Sequence, residues 1–339
     1  MTAALPWSSL CRAECDDRAV ECDPPAGLLE EAGLALVRGG LPAGRAGMWL
    51  VDWDGTLGVL RRLDPAPDWA AGADLAADIA WLHGFLCLLA DGFPAPRPLP
   101  AFGQCSWTVT GAAVWELVSF VPGRAVDWAT LSEMEAIGAL LARYHDAACQ
   151  VQVASQRPVA LPLGQVPAVL AAAGMPTTGE EDDQRRLVQR LAGELAADLG
   201  DIGHGQWPRL IIHGDFTSHN VIADGQPSRP RGAIDFALAH LESPLADIGY
   251  GLWRSGRPHD QATRLDVPRV QRFVRGYAFV RPLSSDDAAA VEVFLRGRGL
   301  QRLAKRVRAG RPDPGTLTEV QWLSTHRQLI AEALAGAVP

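Results

Sequence analysis

The chain has 339 residues, 48% hydrophobic and 21% charged, which is long enough for two domains and excludes intrinsic disorder. Its net charge of −8 argues against nucleic acid as the main partner, since phosphate-backbone binding calls for a basic excess. No apolar run of about 18 residues and no basic-then-apolar leader occurs, so a cytoplasmic protein with no membrane partner is expected.

Residues 1–26, with Pro6, Pro24, Pro25 and scattered acids, read as an N-terminal extension. Cys11, Cys15 and Cys22 lie close enough together there to suggest a metal cluster. No paired Cys-x-x-Cys or His-x-x-x-His accompanies them, and free thiols in a reducing cytoplasm are the preferred reading. Next come short apolar runs: Ala35–Val37 as a strand, Gly39-Gly40 through Gly47 as a loop, and Met48–Trp53 as a second strand. Asp54-Gly55 is a hairpin signal, and Leu57–Leu63 reads as the third strand. A helix from about Asp74 to Ala90 carries Leu75, Ile79, Leu82, Leu86 and Leu89 on one stripe. Trp107–Thr110 and Val114–Ser119 read as two more strands. That order suits a small, mostly antiparallel sheet with one helix packed on it.

After Pro122-Gly123 the pattern turns helical. Leu131–Ala147 places Met134, Ile137, Leu140, Leu141 and Tyr144 on one face. Residues 155–184 read as a surface connection with a short helix, and Leu187–Leu199 as a second long helix. Leu210–His213, Asn220–Ala223 and Gly232–Asp235 are short strand candidates, and about 245–335 is mainly helix. The expected class is α+β, with an extension at 1–26, a sheet-rich small domain at 27–119 and a larger helical domain at 120–339.

The chemistry-bearing residues lie beside the short strands. Leu210-Ile211-Ile212 runs into His213-Gly214-Asp215, a polar loop leads to Asn220, and a second strand ends in Ile234-Asp235-Phe236. Rigid strand ends can aim two carboxylates and an amide into one cleft. Phosphoryl transfer needs such a set: an Asp to take or orient the hydroxyl proton, an amide oxygen on Mg²⁺, and a second Asp on Mg²⁺ across the phosphates. Those roles fall on Asp215, Asn220 and Asp235. The alternative makes all three turn formers.

His213-x-Asp215-x-x-x-x-Asn220, followed by Asp235, resembles the catalytic loop and metal-binding Asp of the aminoglycoside phosphotransferase and choline kinase families, relatives of the protein kinases. Pro244-x-x-Asp247-Ile-Gly and Leu140-Leu-Ala-Arg-Tyr-His145 are similar to two further segments of those families, and the likeness covers about residues 34 to 310. The resemblance implies a two-lobe protein-kinase-like fold, with Asp215 as catalytic base and Mg²⁺ on Asn220 and Asp235. It implies ATP, or GTP, as phosphoryl donor. His213, as a core histidine, and Asp247, buttressing the catalytic loop, are read as structural, and His219 as a solvated-loop residue.

The families place a Lys on the third strand, held by a helix Glu, and this chain has no lysine there. Val59-Leu60-Arg61 occupies that place, so Arg61 is the candidate for gripping the nucleotide phosphates, with Arg62 as runner-up. Strand alternation puts Val59 and Arg61 on one face. Asp78, beside the apolar stripe of the helix, is the candidate acid for Arg61. Gly39-Gly40, with Gly44 and Gly47, resembles the phosphate-covering loop, and a plain loop is the alternative. Glu116 through Gly123 resembles the segment joining the lobes, whose backbone at Ser119 and Val121 would meet the adenine edge.

The function expected is a small-molecule O-phosphotransferase acting as a monomer or homodimer. An antibiotic, either an aminoglycoside or another sugar-containing one, is the first acceptor class. A metabolite such as homoserine, choline or an amino sugar is the alternative. Glu242 and Asp260 could receive a cationic acceptor or be solvated. Two further readings are a nucleotide-binding pseudokinase, and a phosphoesterase using His213 and Asp215 that lacks the clusters a two-metal site needs.

Overall fold

The computed structural model describes residues 24–38, 47–63, 75–111, 113–126, 130–153, 157, 161–172, 179–225, 229–259, 263–310 and 314–338. Gly39, Gly40 and Gly44, the cysteines at 11, 15 and 22, and Asp260 lie outside the described residues. Two compact units are present. The first takes the described residues within Met1–Val126, Val151–Ser155 and His219–Ala237, and the second those within Asp127–Gln150, Gln156–Ser218 and Leu238–Pro339. Residues 219–237, expected in the helical domain, thus group with the first unit.

Along the chain the first unit supplies α1 (Ala26–Glu31), β1 (Leu34–Arg38), β2 (Met48–Trp53), β3 (Thr56–Leu63), α2 (Leu75–Leu89), β4 (Trp107–Thr110), β5 (Ala113–Ser119) and β6 (Arg124–Ala125). The second then supplies α3 (Leu131–Ala148), α4 (Val166–Ala172), α5 (Gly179–Asp201) and β7 (Leu210–Ile212). β8 (Val221–Asp224) and β9 (Arg229–Ala233) return to the first. β10 (His240–Glu242), α6 (Pro244–Ser255), α7 (Val267–Val280), α8 (Ser285–Arg308), α9 (Pro314–Thr325) and α10 (Arg327–Ala335) complete the second.

In the first unit five strands pair antiparallel in the order β1-β2-β3-β5-β4. The β2–β3 turn is the expected one: Asp54 and Gly55 both take positive φ, 50° and 77°, as a two-residue type I′ hairpin demands. One face of the sheet carries Leu60, Trp115 and Leu117 into a core shared with Leu28, Leu34, Trp49 and Val51. Each such side chain contributes about 1.5–3 kcal/mol on burial. Alternation sends Val59, Arg61 and Glu116 to the other face, where α2 lies with His83 against Glu116. A second sheet in this unit pairs β6-β8-β9.

The second unit is helical, with β7 and β10 as a small antiparallel pair. α3 and α7 cross so closely that a Cβ at Gly138 would meet the Phe273 carbonyl at 1.9 Å, and one at Gly276 the Glu135 carbonyl at 1.8 Å. Buried Arg296 bridges Glu292 and Asp198, and Asp198 also accepts from Arg327. Among the described residues no helix is long and apolar enough to cross a membrane.

Candidate active site

In the second unit, β7 delivers the chain into a tight turn at His213-Gly214-Asp215. Gly214 has φ 77°, and a Cβ there would meet the Leu238 carbonyl oxygen at 2.3 Å, so the turn admits only glycine. Asp247, in the first turn of α6, holds the turn from below. Its Oδ2 accepts from the His213 N–H at 2.8 Å and its Oδ1 from the Gly214 N–H at 2.9 Å, while His145 Nε2 lies 3.2 Å away. Burial raises the Asp247 pKa, but His145 and the backbone donors outweigh it and keep the carboxyl below the usual carboxylate range. His213 is buried edge-on to Phe216, and its Nδ1 accepts from the Asp215 N–H at 3.3 Å. His213 and Asp247 are therefore structural, as the sequence led us to expect. The Asp215 carboxyl is 36% exposed and lies 3.6 Å from Arg298 Nη2.

In the first unit, Asn220 and Asp235 flank the β8–β9 hairpin. Val221 pairs with Ala233, and Ile234 N–H donates to the Asn220 carbonyl at 2.8 Å, so both side chains issue from one end of the hairpin. Asp235 has φ 63°. A non-glycine residue held there costs on the order of 1–3 kcal/mol and persists where the surroundings enforce it, often at functional sites. Arg61 Nη1 lies 3.5 Å from Asp235 Oδ1. Through Nε, Arg61 donates to Glu116, the residue directly opposite it on β5. His83 from α2 meets the other Glu116 oxygen at 2.8 Å, and its Nδ1 meets Ser106 Oγ at 2.7 Å. Burial pushes the Glu116 pKa up, but the Arg61 charge and the His83 hydrogen bond more than reverse this and hold the carboxylate ionised.

The oxygen donors suit a hard cation. Among the described residues no group of three or more His, Cys, Asp or Glu could hold a metal ion, which excludes an all-protein cage from that set. Mg²⁺ takes one or two protein oxygens and completes its shell with phosphates and water. One amide oxygen and one carboxylate, on Asn220 and Asp235, fit that requirement.

Structure brings Arg61, Asn220 and Asp235 into one unit, while Asp215 belongs to the other. Sequence reasoning does not single out Glu116 or His83: Glu116 falls in the segment resembling the one that joins the lobes, and the apolar stripe of α2 does not mark His83. Asp78 stands half-buried in the first turn of α2. Ser119 gives its N–H to the Arg97 carbonyl at 2.7 Å, and its Oγ accepts from the Arg97 N–H at 2.8 Å. His219 is half-buried rather than solvated. Glu242 is neither solvated nor open to a cation. It is buried, with His204 Nε2 at 3.3 Å, Arg209 Nη2 at 3.6 Å and the Ser243 N–H donating to it at 2.9 Å.

Residues 42–283 match the profile of the phosphotransferase enzyme family, and the chain belongs to that family. A homoserine kinase of Methylobacillus flagellatus is 27% identical over 249 residues, covering 72% of this chain and 73% of that one. The chain superposes on a microcompartment-associated aminopropanol kinase with a TM-score of 0.61 at 19% identity, over 90% and 93% of the two chains. An aminoglycoside phosphotransferase of Alicyclobacillus acidocaldarius gives a TM-score of 0.53 at 16% identity, over 85% and 89%. The fold is therefore the α+β protein-kinase-like one, and the activity is phosphoryl transfer to an alcohol group.

Proposed function

We propose that the chain is an ATP-dependent, Mg²⁺-requiring kinase of a small hydroxylated metabolite, with Asp215 as the group that receives the hydroxyl proton. The observation that carries this reading is the glycine-only turn at Gly214, pinned by Asp247, which aims Asp215 within the segment matching the family. A rigid turn of this kind is what a general base needs, because positioning dominates phosphoryl-transfer catalysis. Asn220 and Asp235 would hold Mg²⁺, which neutralises charge on the transferring phosphates. Arg61 would grip the nucleotide phosphates, oriented by Glu116 and, from the helix, by Asp78. The adenine edge would meet the Ser119 carbonyl and the Val121 N–H, with Gly39 and Gly40 covering the phosphates. Free Cys87, Cys105 and Cys149 accord with a reducing cytoplasm, where ATP is abundant.

A metabolite acceptor is preferred to an antibiotic because the homoserine kinases match at 26–30% identity. The aminoglycoside kinases match in fold at 14–20%. The antibiotic reading keeps the support of that shared fold. The test is coupled ADP release over a panel of amino alcohols, hydroxy acids and aminoglycosides, with and without chelator. Turnover should need Mg²⁺ or Mn²⁺ and fall by about 10³-fold or more in Asp215→Ala, with nucleotide binding retained. A loss below about tenfold, near 1.4 kcal/mol of barrier, would remove Asp215 from the role of base.

A further inference from the structure

Helix α8 begins two residues past the segment that matches the family, and it contributes cations at Asp215. Arg298 places Nη2 3.6 Å from Asp215 Oδ1, donates through Nη1 to Gln301 at 2.9 Å, and lies 4.9 Å over the Tyr250 ring. Its side chain is 16% exposed, so the guanidinium is packed rather than waving in water. The glycine after Arg298 fixes that placement: a Cβ at Gly299 would come within 2.5 Å of the Trp253 ring. Two turns along the same helix face stands Lys305, the sole lysine of the chain. Burial brings its ammonium down to about 8, with Arg298 lowering it further and Asp215 opposing. Both groups thus share the surroundings of Asp215.

Among the described residues, two acids of the second unit that could have welcomed a polycation are already engaged. Glu242 holds His204 and Arg209, and Asp247 holds the turn and His145. An acceptor that offers its hydroxyl to Asp215 therefore brings the rest of itself against an arginine and a lysine. Like charge is rejected there, and a carboxylate is matched by the planar guanidinium fork.

We infer that Arg298 and Lys305 form a subsite for an anionic group, a carboxylate, on the acceptor whose hydroxyl faces Asp215. This rests on the kinase reading with Asp215 as base. It narrows the acceptor from any small alcohol to a hydroxy acid or hydroxy amino acid. Two other roles for Arg298 predict different behaviour. A counter-ion that only orients Asp215 would slow every acceptor alike, and a contact to the nucleotide phosphate would raise the nucleotide KM instead.

The experiment compares acceptors in pairs that differ by one carboxylate: L-homoserine with 3-aminopropan-1-ol, L-serine with ethanolamine, and glycerate with ethylene glycol. Affinity is read by calorimetry with ADP and Mg²⁺ present, and kcat/KM by ADP release, for the native chain, Arg298→Gln, Arg298→Lys and Lys305→Gln. In at least one pair the carboxylate should confer about tenfold or more. That preference should collapse in Arg298→Gln, shrink in Lys305→Gln and return in part with Arg298→Lys. The inference is overturned if no carboxylate member is preferred, or if Arg298→Gln lowers kcat for both members with their ratio intact. It is equally overturned if the loss falls on the nucleotide KM, or if an aminoglycoside outperforms every carboxylate. Because calorimetry reads the subsite without turnover, carboxylate-selective binding with no ADP release from any acceptor would count against the kinase reading and not against the subsite.

Discussion

At the residue scale, the guanidinium of Arg61 is anchored at both ends, by Glu116 across the strand pair and by Asp235 at the hairpin end. Arginine retains the charge that the family's lysine would supply and adds a fork of donors, so one side chain can meet a protein acid and a phosphate together. Arg61→Ala should raise the nucleotide KM and lower kcat, by about 10²-fold in kcat/KM, since the contact tightens as charge develops on the transferring group. Arg61→Lys should restore only part. Arg62 is exposed and alternation sends it to the opposite face, so Arg62→Ala should change kinetics by no more than about twofold. Steady-state kinetics on the three variants decide it, and a silent Arg61→Ala would show that the nucleotide is held elsewhere. Position 61 was legible because a strand read from its apolar alternation places Arg61 where the family has lysine. Glu116 was not, because its meeting with Arg61 depends on a strand register fixed 55 residues away. His83 was obscured for a related reason: it lies about 140° around the helix from Asp78, the acid that the apolar stripe suggested.

At the scale of elements, the strands and long helices were legible wherever apolar periodicity was present. The five strands of the first sheet, the Asp54-Gly55 turn and α3 appear within a few residues of expectation. Polar or very short elements escaped. The helix α5 runs Gly179–Asp201 where only Leu187–Leu199 showed an apolar pattern, since its opening Gly-Glu-Glu-Asp-Asp-Gln-Arg-Arg offers no stripe. β6 and β10 hold two and three residues, too few for alternation to register. β9 ends at Ala233 and leaves Asp235 outside the strand, because Asp235 takes a positive φ that no strand accepts. The crossing of α3 and α7 was also illegible, as nothing local tells a packing glycine from an ordinary one. It is now open to test. A methyl at Gly276 would overlap the Glu135 carbonyl at 1.8 Å, and backbone cannot step aside as a side chain can. Gly276→Ala should therefore cost about 3 kcal/mol, read as a lowered urea midpoint. Gly193→Ala on α5, where an added Cβ meets nothing within 4 Å, should stabilise slightly or do nothing. Equal midpoints for the two variants would refute the close crossing.

At the scale of the whole molecule, ionisation couples stability to pH through groups concentrated in the second unit. His145 and His240 are buried, and burial lowers both pKa values, against the Asp247 hydrogen bond for His145 and the Leu238 carbonyl bond for His240. In the unfolded chain they titrate near about 6.5. A depressed folded pKa means that the unfolded state binds protons first, so the contribution is fully present above about pH 6.5 and drains away below it. Asp247, Glu242 and Asp198 add a second stage. Each is pushed up by burial but held lower overall by its partners: His145 and the turn backbone for Asp247, His204 and Ser243 for Glu242, and Arg296 and Arg327 for Asp198. Their contribution is present above the unfolded carboxylate values of about 4 and is lost as pH falls through the lower folded ones. The melting temperature should thus decline gently as pH falls below about 6.5 and drop steeply below about 4. His240→Gln tests half of the first stage, since it removes one of the two titrating rings, whose Nδ1 bonds the Leu238 carbonyl at 2.7 Å. That variant should melt lower at pH 7.5 and lose less than the native chain between pH 6.5 and 5. A native melting temperature that stays level down to pH 5, or an unchanged slope in His240→Gln, would show that these histidines ionise in the folded protein as they do in water.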